Sequence, residues 1–133
     1  MAVQVLTNAS VTVNSVDLSA YVTNVVVDRQ VDPIETTSMG ATGHTFTAGL
    51  QSSTVTINFN QDFAATKVNA TLTGLVGTTT TVVVKATADA VSATNPSFSC
   101  SGFFAGYAAI NGAVGDLNAF TATFTGPITV ATS

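Results

Sequence analysis

The stretch STVTINFNQDFAATKVNATLTGLVGTTTTVVVKATA, residues 53–88, changes its period twice. Val55, Ile57 and Phe59 alternate with Thr54, Thr56 and Asn58, the period of a strand with one buried and one polar face. From Asp62 the apolar positions become Ala64, Val68, Leu72 and Leu75, a helical spacing that puts them on one stripe. At Val82 the strand pattern returns. The spacing predicts a strand over Thr54–Phe59, a helix over about 62–75 and a strand over Thr80–Ala86. Asn60 or Asp62 is the expected N-cap, and Gly77 lies near the expected end. Thr66, Asn69 and Thr71 are weak helix formers, so the helix is expected to be held by Val68, Leu72 and Leu75 packing across the subunit's own sheet.

Outward from this stretch the chain reads as strands. Val3–Leu6 and Ser10–Val13 are short candidates, followed by a turn at Asn14 and Ser15. In DLSAYVTNVVVD, residues 17–28, the β-branched run Val25–Val27 predicts a strand near Tyr21–Asp28, expected at the centre of a sheet. RQVDPIETTSMGATGHTFTAGL, residues 29–50, holds Pro33 and three glycines and reads as a long loop or an irregular hairpin. Its apolar residues Ile34, Met39, Phe46 and Leu50 either fold back on the core or pack on another subunit. Ile34, Met39, His44 and Phe46 are the candidate assembly residues of this segment. After the polar link DAVSATNP come a strand at Ser97–Tyr107, a turn at NGAVGD, a strand at Ala119–Thr125 and a closing strand at Ile128–Ala131. The expected fold is one mainly β domain over 1–133, an antiparallel sandwich or barrel of seven or eight strands with one α-helix packed on it.

Composition narrows the function. Only 8% of the 133 residues are charged, against about 25% in an ordinary soluble domain. Threonine, serine and asparagine must cover the surface, and uncharged polar faces dock on other protein without stranding a charge. This favours an assembling protein over a monomer with a Thr-rich surface. A net charge of −4, with Arg29, Lys67 and Lys85 as the whole basic complement, lacks the footprint of a nucleic-acid binder. The single Cys100 excludes an intrachain disulfide and leaves the redox compartment open. No signal peptide or membrane span is visible in the sequence.

Catalytic patterns are sparse. His44, the one histidine, has no cysteine or carboxylate at ligand spacing, and Cys100 sits inside a predicted strand as a small buried thiol. SMGATG and NGAVGD lack the lysine of a phosphate loop and read as turns. Asp28, Asp32 and Glu35 lack the spacing of a calcium loop and read as a solvated acidic edge. Asn8 and Asn69 each begin an N-x-S/T triplet, expected by chance in such a composition. No catalytic, cofactor or metal residue is assigned, and no cofactor is expected.

The order of segments resembles the major tail tube proteins of long-tailed bacteriophages, whose fold is shared by the tube protein of bacterial type VI secretion. DLSAYVTNVVVD is similar to the family's early strand, and ETTSMGATGHTFTAGLQSSTVTINFNQDF to its long loop and following strand. DFAATKVNATLTGLVG is similar to its single helix, and NPSFSCSGFFAGYAAINGAVGDLNAFTATFTGPIT to its closing strands. The resemblance implies a non-enzymatic virion tail protein, made in the host bacterial cytoplasm. It implies a sheet lining a channel with the helix outside, and six copies joined edge to edge in rings that stack into a tube. Partners would be the chain itself, the tape measure, tail terminator and tail tip proteins, and DNA passing without sequence-specific binding; no membrane is involved. An acidic lumen would let DNA slide, and the net charge has the right sign. Without room for the extra immunoglobulin-like domain of some tail proteins, a bare tube is expected. The other roles weighed are a capsid decoration or head-to-tail joining protein, and a secreted β-sandwich adhesin or binding module, the latter poorly equipped without tryptophan.

Overall fold

A computed structural model describes residues 5–64 and 67–132. Its strands are β1 (Ser10–Val13), β2 (Val16–Asp17), β3 (Val22–Asp28), β4 (Val31–Glu35), β5 (Phe46–Gln51), β6 (Thr54–Asn60), β7 (Thr78–Lys85), β8 (Ser97–Phe104), β9 (Ala119–Thr125) and β10 (Ile128–Ala131). A 3-10 turn at Ser19–Tyr21 precedes β3, and one short helix, α1 (Val68–Thr73), separates β6 from β7.

Eight strands form one antiparallel sheet in the order β2-β1-β7-β8-β9-β6-β3, with β10 also paired to β8. The sheet folds at a corner. β9 pairs with β6 along its whole length but reaches β8 only at Phe103–Thr125 and Phe104–Phe124. Past Gly126 and Pro127 the same line of chain continues as β10 along β8, from Ile128–Cys100 to Ala131–Ser97. β3, β6 and β9 thus form one half, and β2, β1, β7, β8 and β10 the other. Their inner faces meet in one core: Val55, Ile57, Phe59, Phe120, Ala122 and Phe124 from the first, Val11, Val13, Val82, Val84, Cys100, Phe104 and Ile128 from the second. A Cβ on Gly126 would lie 1.9 Å from the Ser101 carbonyl oxygen, so the corner requires glycine there. The halves form a sandwich joined at one corner, and β2 and β3 remain as sheet ends, so no barrel closes.

Several elements differ from the sequence expectation. β3 is an edge strand, not a central one: Val26 is 50% exposed in the middle of its valine run. A run of β-branched residues reads as buried on both faces, yet here only Val25 and Val27 pack on the core. The helix is six residues, not fourteen or so. Asp62 does not cap it; its Oδ1 accepts the Ala64 N–H at 2.9 Å, a local turn that competes with helix nucleation. The expected strand at Val3–Leu6 falls partly outside the described residues, and Val5 and Leu6 belong to no strand. β8 stops at Phe104, short of Tyr107. The turn at Asn14 and Ser15 is a two-residue hairpin loop with φ of 50° and 67°, the left-handed pair a type I′ turn needs.

Val68 and Leu72 of α1 are fully buried, and Leu75, just past it, is half-buried against the same core. Tyr107 fastens the helix: its hydroxyl donates to Asn69 Oδ1 at 2.6 Å and pairs with Thr73 Oγ1 at 2.9 Å. The Tyr107 ring lies 5.7 Å from Phe104 and 5.0 Å from Phe120, which ties α1 to both halves of the sandwich.

Candidate assembly surface

Residues 29–53 continue β3 and β6 beyond the body as a two-stranded arm. β4 and β5 pair only with each other, with Val31 opposite Gln51 and Glu35 opposite Phe46. The irregular hairpin is therefore the form this segment takes. A register shift between Val31 and Pro33 sets Gly49 and Leu50 opposite Asp32, a bulge in β5. At the root, the buried Ser53 hydroxyl accepts the Gln30 N–H at 3.1 Å, and Ser52 N–H donates to the Gln30 carbonyl at 2.9 Å. Gln51 Oε1 accepts the Ile128 N–H at 3.2 Å, a further tie to β10.

Beyond that root every residue of β4 is exposed, and in β5 only Gly49 is partly covered. Ile34 and Phe46 are 52% and 60% exposed, and Met39 at the tip is fully exposed. None of the four candidate assembly residues packs on the core. His44 Nδ1 lies 2.6 Å from Glu35 Oε2 across the arm, and this hydrogen bond, helped by one from Thr37, holds the Glu35 carboxyl below its usual range. The arm tip is stiffened by Thr36 N–H donating to the Thr45 carbonyl at 2.8 Å and by a Thr36–Thr45 hydroxyl pair at 2.9 Å.

Below the arm, the gap between the ends of the sheet opens as a groove. Its larger part, about 710 Å³, runs between residues 6–10 and the start of β3, Val22 to Val25, at the end away from the arm. A narrower part, about 290 Å³, lies between Val25, Val27 and Arg29 on one side and Val84, Lys85, Ala86 and Phe98 on the other. Sequence reading missed this groove, because it depends on β3 lying at an edge. The signal available was the placement of Lys85 directly after Val82–Val84 and of Arg29 one residue beyond Val25–Val27.

His44 and Cys100 are not brought together: one is on the arm, the other buried in β8, where burial pushes its thiol pKa up. Among the described residues no cluster of histidine, cysteine and carboxylates is arranged to hold a metal, and no helix is long and apolar enough to cross a membrane.

Neither a protein-family model nor a curated protein matches the sequence. The fold, however, is similar to solved structures. A chain of the sheath/tube terminator of an extracellular contractile injection system, PVC, in its extended state superimposes with a TM-score of 0.71 at 14% identity, covering 97% of this chain and 96% of that one. A chain of the PVC sheath-tube complex gives 0.69 at 11% identity, covering 98% and 92%. Hcp1 from Flavobacterium johnsoniae gives 0.53 at 14% identity, covering 96% and 97%. At such identities the likeness establishes a shared fold, one that these tube assemblies and Hcp1 have in common with this chain.

Proposed function

We propose that this chain is a non-enzymatic structural subunit of a tail tube, assembling into hexameric rings that stack into a conduit within a virion tail. The observation that carries the reading is the end-to-end likeness to chains of injection-system tube assemblies. The arm supports it, because a ribbon exposing Ile34, Met39 and Phe46 has apolar surface that its own body does not cover. In a stack, those side chains and His44 pack on the next subunit, and each large apolar side chain fully buried contributes roughly 1.5–3 kcal/mol. Val68, Leu72 and Leu75 hold the helix on the tube wall. In this role the protein meets further copies of itself and tape measure, tail terminator and tail tip proteins, while DNA slides past a surface that carries few cations.

A second reading is a terminal ring in place of a repeating tube subunit, favoured by likenesses to chains of the PVC terminator structure and of the anti-feeding prophage cap. Negative-stain microscopy of the purified protein separates the two, since a tube subunit gives tubes of indefinite length and a terminator gives single rings. Neither rings nor tubes would overturn both. The role of the arm is tested by replacing residues 32–49 with a short Gly/Ser turn. Circular dichroism is expected to report a folded sheet, since shortening a loop changes closure entropy only slowly, and tubes are expected to vanish. Normal tubes, or an unfolded chain, would overturn the assembly role of the arm.

A further inference from the structure

We propose that the narrow groove between β3 and the end of β7 receives the arm of a second copy, with Asp32 of that arm meeting Arg29 and Lys85. The proposal rests on the tube reading and names the surface the arm occupies. The chain carries only three basic residues, and two of them, Arg29 and Lys85, line this one groove. The rest of its lining is apolar, including Val27, Val84 and Phe98. The Arg29 guanidinium has no hydrogen-bond or ion-pair partner among the described residues, and Lys85 Nζ donates only to the Asp89 carbonyl, at 2.9 Å. The Asp17 carboxylate lies close enough to Lys85 to feel its charge, so Arg29 is the unpaired cation beside the apolar floor among the described residues, and the groove fits a ligand that is apolar along its length and carries a carboxylate.

The arm has that chemistry. Asp32 and Ile34 are two residues apart on β4, which is unbulged, so both point to the same side of the ribbon, about 7 Å apart. The Asp32 carboxylate has no partner among the described residues, and Ile34 is exposed. Ile34 is also held in place: a Cβ on Gly49 would come within 2.9 Å of its Cδ1, so the side chain lies flat across the glycine of the facing strand. Among the described residues the β3 side of the groove is a free sheet edge, which offers unpaired backbone N–H and C=O groups to an incoming strand. Asp32 on the arm and Lys85 at the end of β7 lie on different surfaces of one chain, with Arg29 at the arm root beside the groove, so the contact is head-to-tail, the kind that propagates into a ring or a filament and does not stop at a dimer.

The test is charge exchange, read by sedimentation velocity and electron microscopy with circular dichroism as the folding control. Asp32→Lys alone, and Arg29→Glu combined with Lys85→Glu, are each expected to weaken self-association at least tenfold. An equimolar mixture of the two variants is expected to restore it, because each arm then finds a groove of opposite sign. If the reversed groove variant fails to fold, Arg29→Gln with Lys85→Gln removes the cations without adding charge and is expected to weaken association in the same direction. Assembly of these variants at parental strength overturns the proposal, as does a mixture that fails to restore it, for then another segment fills the groove. Should shortening the arm abolish tubes while the charge variants assemble normally, the assembly role of the arm stands and the groove falls. A parent that remains monomeric at every concentration overturns both.

Discussion

The strand AFTATFT and the arm strand FTAGLQ share the run Phe-Thr-Ala and end in opposite surroundings. In β9 the phenylalanines of a Phe/Thr alternation are buried, with the Phe120 ring 5.5 Å from Phe59 and Phe124 4.8 Å from Phe104. In β5, Phe46 lies opposite Glu35 and is 60% exposed. Alternation records that one face is to leave water. It does not record in which molecule that face finds cover. The difference lies in what flanks the strand: β9 is paired on both sides, to β6 and at its end to β8, whereas β5 has one partner and no second layer.

If the contrast is real, perturbing the body should be costly and perturbing the arm should cost the isolated chain little. The largest effect is expected from Leu72→Asp, which places an unpaired charge in the core and should cost about 4 kcal/mol or more, enough to leave a marginally stable domain unfolded at ordinary temperature. Denaturant titration would measure it, and near-parental stability would place α1 outside the core.

A smaller loss is expected at Asn95. This buried side chain holds the β7–β8 connection by donating to the Asp89 and Ala90 carbonyls at 2.9 and 3.2 Å and accepting the Thr87 N–H at 3.2 Å. Asn95→Ala should cost about 1–3 kcal/mol in the same titration, because it strands backbone groups in a protected turn. Thr80 points the other way. Its hydroxyl is buried without a hydrogen-bond partner among the described residues, so Thr80→Val should raise the unfolding free energy by an amount on the order of 1 kcal/mol. Phe46→Ser on the arm should change the stability of the isolated chain by less than about 0.5 kcal/mol, as substitutions at exposed sites usually do, while impairing tubes.

The smallest expected effect is a pH dependence that also divides body from arm. Asp17 is held below its ordinary value of 3.8, first by the hydroxyl of Ser19 and then by the Ser19 N–H. A carboxylate with a depressed folded pKa contributes stability above its unfolded pKa and loses it as pH falls through the folded one. Asp17→Asn should therefore flatten the acid limb of the stability curve just below the ordinary carboxylate range. Glu35 is depressed in the same direction by His44, but on the arm. Glu35→Gln should alter the chemical shifts of the arm in acid and leave the global midpoint in place; a shifted midpoint would join the arm to the core.

Much of the body was legible in the sequence because short-range pattern and final packing agree there. Residues 54–60 alternate in sequence and in burial, and the turn at Asn14 and Ser15 declares itself through residues that tolerate positive φ. Helix length was not legible, since Asp62 can cap a helix or make a local turn and tertiary context decides between them. The edge position of β3 was not legible either, because strand order depends on the corner at Gly126, far along the chain. For the arm, the odd apolar residues Ile34, Met39 and Phe46 were visible, but the groove below it required knowing which strands end the sheet.

The corner itself governs how the molecule can come apart. One continuous line of chain, Ala119–Ala131, hydrogen-bonds to β6 with its first half and to β8 with its second. Neither half of the sandwich can open without pulling on the other through this shared strand. In native-state hydrogen exchange, amides of β6 and β8 should then share one opening free energy and behave as a single cooperative unit, while those of β4 and β5 exchange through cheaper, separate excursions. The sandwich is tied into one piece, while the arm is paired only within itself.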